Sequence, residues 1–312
     1  MSEFLSKSEY LNGLLIAHRE KKTVVKTYKL SFFGVDGQDV YNICNEFTVG
    51  GKTYIAGRVE KRNSEISEVV VFEKIETGKY SATDIRFEML QDPCCAFIDG
   101  EMILGGTKIY ADFDGRINNW NTAFFRGKDL NDLTHFADAP KKMKDVRLFK
   151  TDKVHIFTRP QGGKANLGKI GYAAVDSLSH VNEAVMENAV LLDGQFDEFT
   201  WGGVNQVHLL SNGKLGVLGH IAVMSEGDVR HYYAMTFLFD QKTGTCGKVK
   251  IICERSDFTK GAYKREDLID VVFTGGLNRK KDGTAELFVG LSDAEAHCAV
   301  IEDPFKEYET DQ

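Results

Sequence analysis

Leu90-Gln91-Asp92-Pro93-Cys94-Cys95-Ala96-Phe97-Ile98-Asp99-Gly100-Glu101-Met102-Ile103-Leu104-Gly105-Gly106 carries the reading on which the fold turns. It reads as a carboxylate at a bend, a buried strand, an Asp-Gly turn and a second strand. Pro93 has no N–H to give a central ladder, and Asp99-Gly100 suits a tight hairpin. Asp92 is therefore placed at the mouth of a strand, where a rigid proline lets a carboxylate project into a cleft at no cost in ladder bonds. By itself an Asp before a Pro also reads as a turn former. The rest of the chain weighs between the two.

The same hairpin returns four more times. Tyr41 to Val49 turns at Gly50-Gly51 into Thr53 to Glu60, and Met143 to Phe149 turns at Thr151-Asp152 into Val154 to Pro160. Trp201 to Leu210 turns at Asn212-Gly213 into Lys214 to His220, and Leu268 to Gly276 turns near Asp282-Gly283 into Ala285 to Asp293. The spacing is roughly 50 to 70 residues, the size of a four-stranded blade with its loops. Thr23 to Phe33, Glu68 to Phe72, Ile170 to Val175 and Tyr232 to Phe239 read as further strands. Helical periodicity is confined to short stretches near Ser8 to Glu20 and Ser179 to Glu187. The expectation is an all-β, five-bladed β-propeller with its active site in the central funnel. It is expected to be one domain over residues 1–312, with a short N-terminal lead and a C-terminal tail.

Composition bounds the function. The 312 residues are 42% hydrophobic, enough for a large core, and carry a formal net charge of −7. That balance argues against a nucleic-acid partner, which requires a basic surface to displace counterions. The N-terminus lacks the charged and apolar run of a signal peptide, and no apolar stretch is long enough to span a bilayer, so no membrane partner is expected and cytoplasmic residence is the default. Six scattered cysteines have neither zinc-ribbon nor CxxC spacing and read as reduced and mostly buried. No spacing of His, Cys or Asp marks a metal site, and Gly162-Gly163-Lys164 is not a phosphate loop of the Walker kind.

Each hairpin opens on a residue able to enter a central funnel: Asn45, Asp92, Asp145 or Arg147, Asn205 and Asp270. Each closes on chemistry unusual for a strand: Arg58 with Glu60, Gly105-Gly106, Arg159, His220 and Asp293. In a propeller the innermost strands line one channel, so equivalent positions of separate blades converge. Taken singly, these polar residues also fit turns and surface ion pairs.

Leu90-Gln91-Asp92-Pro93, Asp270 to Gly276 and Gly290-Leu291-Ser292-Asp293 resemble marks of the five-bladed β-mannoside phosphorylases, glycoside hydrolase family 130. Met143 to Arg147, Phe157 to Gly162, Gly168 to Gly171, Trp201 to Asn205 and Val217 to Ala222 extend the resemblance to most of the chain. It is closer to a related group long catalogued as a domain of unknown function. Parasite members of that group are described as dual mannosyltransferase-phosphorylases of β-1,2-mannan. The resemblance implies inverting transfer of a mannosyl unit between a β-mannoside, expected to be β-1,2-linked, and inorganic phosphate, or synthesis from mannose 1-phosphate. Phosphate would be the co-substrate and no cofactor is implied. Asp92 matches the family's catalytic acid. A single carboxylate fits, since phosphate brings its own charge and dispenses with the base that an inverting hydrolase needs for water.

On this reading Arg147, Arg159, His220 and Lys169 are the candidates to hold phosphate, Arg being favoured by its planar fork. His220 serves equally well as a buried structural residue. Asn45, Arg58, Glu60, Arg62, Asp145, Asn205, Tyr232, Asp270 and Asp293 are the candidates to meet sugar, with Trp201 either a stacking face or part of the core. The chain departs from the better-known phosphorylases in having Gln91 and Cys94 where they carry Glu and Arg around the Asp-Pro pair, and Gln206 where close relatives are expected to be acidic. An inverting hydrolase with Asp145, Asp270 or Asp293 as base, and a noncatalytic glycan-binding propeller, are the competing readings.

Overall fold

The computed structural model describes residues 6–310. The chain is mostly β, and all five hairpins form where the turn residues mark them. Asp99 and Gly100 both take positive φ, +52° and +79°, the pair that a two-residue hairpin matching strand twist requires. Among the described residues no helix is long and apolar enough to cross a membrane.

One sheet is built on Lys52–Glu60, Ser67–Glu76 and Lys79–Glu88, with Asp39–Tyr41 and Phe47–Val49 both pairing against the first of these. A second is the meander Leu90–Ile98, Glu101–Ala111, Ile117–Gly127 and Thr134–Asp138. A third comprises Arg147–Lys150, Val154–Thr158, Gly171–Val175 and Val190–Leu191. The remaining sheet has nine strands but divides in two. Thr200–Leu209, Leu215–Met224 and Arg230–Asp240, flanked by Lys250–Cys253, join the ladder of Asp270–Arg279, Thr284–Leu291 and Glu295–Glu302 through a short parallel pairing of His231 and Tyr232 with Asp270 and Val271.

The stretch expected as one strand from Thr23 to Phe33 is two. Val24–Lys29 pairs antiparallel with Glu295–Glu302, near the other end of the chain, whereas Ser31–Phe33 runs parallel to Lys79–Glu88. The break falls at Leu30, which is buried and donates its N–H to Ala296. The N-terminal strand thereby completes the last sheet, and the two ends of the chain are fastened together by a ladder.

Apolar residues gather between sheets. Val71 and Phe72 pack with Leu104, Ala123 and Phe288; Ile103 and Phe124 pack with Ile156 and Met186; Phe157 packs with Val217 and Phe239; Leu218 and Ala234 pack with Val272 and Leu287. Sheets covered on both faces explain why Leu215–Met224 is buried along nearly its whole length and does not alternate. Because the apolar surface is spent between neighbours in a closed cycle, the innermost strand ends are left to polar residues. The helix Glu9–Lys21, capped by Ser8 through a 2.9 Å bond to the Leu11 N–H, lays Leu11 and Leu15 against the strand Lys250–Cys253.

Candidate active site

Four non-glycine residues in left-handed backbone conformation meet at one place: Asn42 (φ +43°), Asp92 (+50°), Asp145 (+61°) and Asp293 (+50°). Asn and Asp are the side chains that tolerate this region best. At Asp92 the cause is a bulge. Gln91 pairs with Thr107 and Cys94 with Gly105, so Asp92 and Pro93 stand together opposite Gly106, and the proline stays out of the ladder. The sequence expectation of a carboxylate before the strand becomes a carboxylate on a bulge within the strand Leu90–Ile98.

The four residues line a polar hollow of about 210 Å³. Asp92 is 5% exposed and its Oδ1 accepts hydrogen bonds from Asn42 Nδ2 at 2.8 Å and Arg58 Nη1 at 3.4 Å. Arg58 is held by Glu60 at 2.8 Å and Glu65 at 3.2 Å and lies over the Tyr41 ring. Across the hollow, Arg159 donates from Nε to the Gly202 carbonyl at 3.1 Å and from Nη1 to Asp145 at 3.2 Å. Nδ1 of His220 bonds Asn205 Oδ1 at 2.8 Å, and its ring packs between Tyr232 and Phe273. Trp201 Nε1 in turn donates to the Tyr232 hydroxyl at 3.3 Å.

The charges are unequal in character. Burial alone would raise the Asp145 carboxyl, but the positive groups of Lys144 and Arg159 outweigh it and hold Asp145 well below the usual carboxylate range. Burial lowers His220 to about 3, with Asp145 opposing and Arg159 reinforcing, so the imidazole is neutral at physiological pH. Enclosure pushes Asp293 up to about 6, with Arg58 opposing and Asp92 reinforcing.

Of the residues singled out in the sequence, the hollow brings together Arg58, Asp92, Asp145, Arg159, His220, Tyr232 and Asp293. The others lie elsewhere. Asn45, Arg147 and Asn205 line a separate cavity of about 300 Å³. Asn205 still touches the hollow's chemistry through His220. Glu60 stands behind Arg58, bonded to Tyr41 and Lys264. Arg62 is a surface partner of Asp39. Asp270 is occupied by His231 at 2.6 Å and Tyr233 at 3.3 Å and does not line the hollow. Lys169 lines none of these cavities, although its neighbour Gly168 lies against Arg159. Burial thus favours the neutral form of His220, and Arg147 lines the other cavity.

Four groups at the hollow were not anticipated. Lys144 makes no hydrogen bond or ion pair among the described residues and stands beside Asp145 in the sequence, so the motif already contained it. Asn42 opens the first hairpin as Asp92 opens the second. Arg230, at the start of the strand Arg230–Asp240, and Arg265, in the connection before Asp270–Arg279, are both bonded to Asp267. Beyond the hollow lies a cleft of about 450 Å³ that shares Gln91, Lys144, Arg159 and Tyr232 with it and is walled by Trp120, Trp201, Ile109, Ile117 and Met224.

A family model described as protein of unknown function (DUF1861) matches residues 17–307. A mannose phosphorylase from Leishmania mexicana, solved in complex with phosphate ion, is 34% identical over 96% of this chain and 95% of its own, with a TM-score of 0.89. A GDP-Man-dependent mannosyltransferase from Leishmania mexicana is 31% identical over 95% and 96%, with a TM-score of 0.85. A β-1,2-mannobiose phosphorylase from Listeria innocua shares the fold at 14% identity over 88% and 93%, with a TM-score of 0.65. No curated protein matches.

Proposed function

Since the chain belongs to the family of proteins of unknown function DUF1861, we propose that it is a mannoside phosphorylase on a five-bladed propeller, working in the central funnel. Among its relatives of similar length and over 30% identity are a phosphorylase and a mannosyltransferase, which support a glycoside phosphorylase-like enzyme. The substrate is a β-mannoside, β-1,2-linked on the likeness to the mannobiose phosphorylase, and inorganic phosphate is the co-substrate.

One observation carries this reading: Asp92 and a cationic wall of Lys144 and Arg159 share a hollow of about 210 Å³. In the degradative direction an oxygen of phosphate, oriented by Lys144 and Arg159, attacks the anomeric carbon. The bond from that carbon to the glycosidic oxygen breaks, and the leaving oxygen takes the proton of Asp92, directly or through a sugar hydroxyl. Mannose 1-phosphate forms with inverted configuration. In the synthetic direction the same carboxylate receives the proton of the acceptor hydroxyl and phosphate leaves. The wider aromatic cleft, with Trp120 and Trp201, takes the rest of the mannoside.

The hydrolytic reading is favoured by one feature only. Asp293 shares the hollow with Asp92, whereas Asp145 is tied to Arg159 and Asp270 lies outside. Release of phosphate from mannose 1-phosphate with mannose or mannobiose as acceptor, followed in wild type and Asp92→Asn, tests the proposal. A loss of about 10²- to 10⁴-fold in the variant with an unchanged melting temperature is expected. Near-normal turnover by the variant removes Asp92 from the role, and cleavage of mannobiose at equal rate without phosphate assigns the site to hydrolysis.

A further inference from the structure

The cavity of about 300 Å³ that holds Arg147 has no part in the chemistry above. Arg147 is only 5% exposed, yet among the described residues no carboxylate lies within ion-pair distance of it. Nε donates to the Asn205 carbonyl and Nη1 to the Val146 carbonyl, each at 3.0 Å. Among the described residues Nη2 has no hydrogen-bond partner, and Arg147 lines the cavity. A buried guanidinium whose only partners are two backbone carbonyls is short of negative charge, and its free edge suits a planar oxyanion. The wall is apolar at Ile103, Phe124 and Phe149, with Phe97 half exposed at the rim, and polar at Asn45, Asn205, Gln206 and Glu46, whose carboxylate is taken up by Lys74 and Tyr80. The apolar side disfavours a fully hydrated ion and favours an anion carried on an apolar body.

We propose that this cavity is a second ligand site, separate from the Asp92 hollow, which takes a small organic carboxylate with its oxyanion on Nη2 of Arg147 and its apolar body between Phe97 and Phe149. The site is independent of the phosphorylase reading, since none of its contacts involves mannoside or the hollow's cations.

The probe is benzoate, titrated calorimetrically into the full chain in the presence of saturating inorganic phosphate. One saturable site is expected, unaffected by phosphate, weakened at least about tenfold in Arg147→Met and kept in Lys144→Met. Because Arg147→Met removes a buried group, a second arm uses wild-type crystals soaked with 4-bromobenzoate. The bromine is expected beside Phe97 and Phe149. Absence of saturable binding at tens of millimolar, competition by phosphate, equal binding by a folded Arg147→Met, or bromine in the Asp92 hollow each overturns the proposal.

Discussion

Nδ1 of His220 donates to Oδ1 of Asn205 across 2.8 Å, and this bond decides what the imidazole presents to the hollow. With the ring neutral at physiological pH, Nε2 faces the hollow as an acceptor, suited to a P–OH or a sugar hydroxyl and not to a bare phosphate oxygen. Asn205→Asp sets a carboxylate against the Nδ1 proton and so favours the imidazolium. The His220 titration is expected to move upward from about 3 toward the ordinary histidine range, read by NMR of the ring nitrogens. Asn205→Leu leaves the Nδ1 donor buried without a partner and is expected to lower stability by about 1–3 kcal/mol in chemical denaturation. An unmoved titration in the Asp variant contradicts the assigned tautomer.

Asp293 makes stability depend on pH in a definite window. Its folded value of about 6 stands above the ordinary 3.8, so the protonated form is the one the fold prefers. The stabilising contribution is fully present below about 3.8 and is lost as pH rises through about 6. Above that, burial penalises the ionised carboxylate; Arg58 and Lys264 oppose this, and Asp92 and Glu65 add to it. Asp293→Asn copies the protonated form. Its melting temperature is expected to exceed that of wild type at pH 7–8, by the equivalent of roughly 2–3 kcal/mol, and to converge with it below pH 4. Asp145, held below its ordinary value, has the opposite sign and acts only as pH falls below about 3.8. A gap that persists unchanged at pH 4 would contradict the window.

The hairpins were legible because their signals are local: Gly50-Gly51, Asp99-Gly100 and Asn212-Gly213 each demand a turn whatever the rest of the chain does. The break at Leu30 was not legible, since it depends on pairing with residues more than 260 positions away. The site divides for a similar reason. Convergence of blades names the strands that line an axis but not the depth at which each side chain stands. Asp145, with left-handed backbone just before the strand Arg147–Lys150, lines the hollow, whereas Arg147, on the strand, lines the other cavity. Asn205 and Asn45 were misplaced by the same ambiguity. Asp270 opens its hairpin in register with the rest, but the neighbouring strand supplies His231, which satisfies it. Arg265 lies in a connection, where no repeat guides the reading, and Arg230 opens a strand outside the five hairpins.

Lys144, which among the described residues makes no hydrogen bond or short ion pair, supplies an ammonium at the boundary between the hollow and the aromatic cleft. An ion pair with phosphate there is charge-assisted and is expected to contribute about 1.5–3 kcal/mol. Lys144→Met should therefore raise the phosphate KM roughly 10- to 150-fold. Lys144 makes no hydrogen bond among the described residues, but its charge also offsets the buried Asp145 carboxylate, so a modest fall in melting temperature is expected beside the rise in KM. A steady-state phosphate series separates the effects: an unchanged KM with a fallen kcat would place Lys144 outside the phosphate site.

Gly203 is the point at which packing and catalysis are most closely joined. A Cβ there would stand 3.0 Å from Cδ of Arg159 and 3.1 Å from Cε1 of His220, contacts that each neighbour must relieve by a few tenths of an ångström. Both neighbours line the hollow, so Gly203→Ala displaces Arg159 and His220 without opening the ladder that pairs position 203 with 220. A misplacement of this size is expected to lower kcat/KM for phosphate by about tenfold, since an ångström costs on the order of a hundredfold. The accompanying overpacking costs about 1–3 kcal/mol of stability. Gly202→Ala is the contrast, because its Cβ would fall 2.1 Å from the carbonyl oxygen of His220, against backbone that cannot yield. That variant is expected not to accumulate as folded protein. Equal kcat/KM for Gly203→Ala and wild type, with the variant folded, would mean that the hollow tolerates movement of its cationic wall, and the phosphate pose built on Arg159 would have to be abandoned.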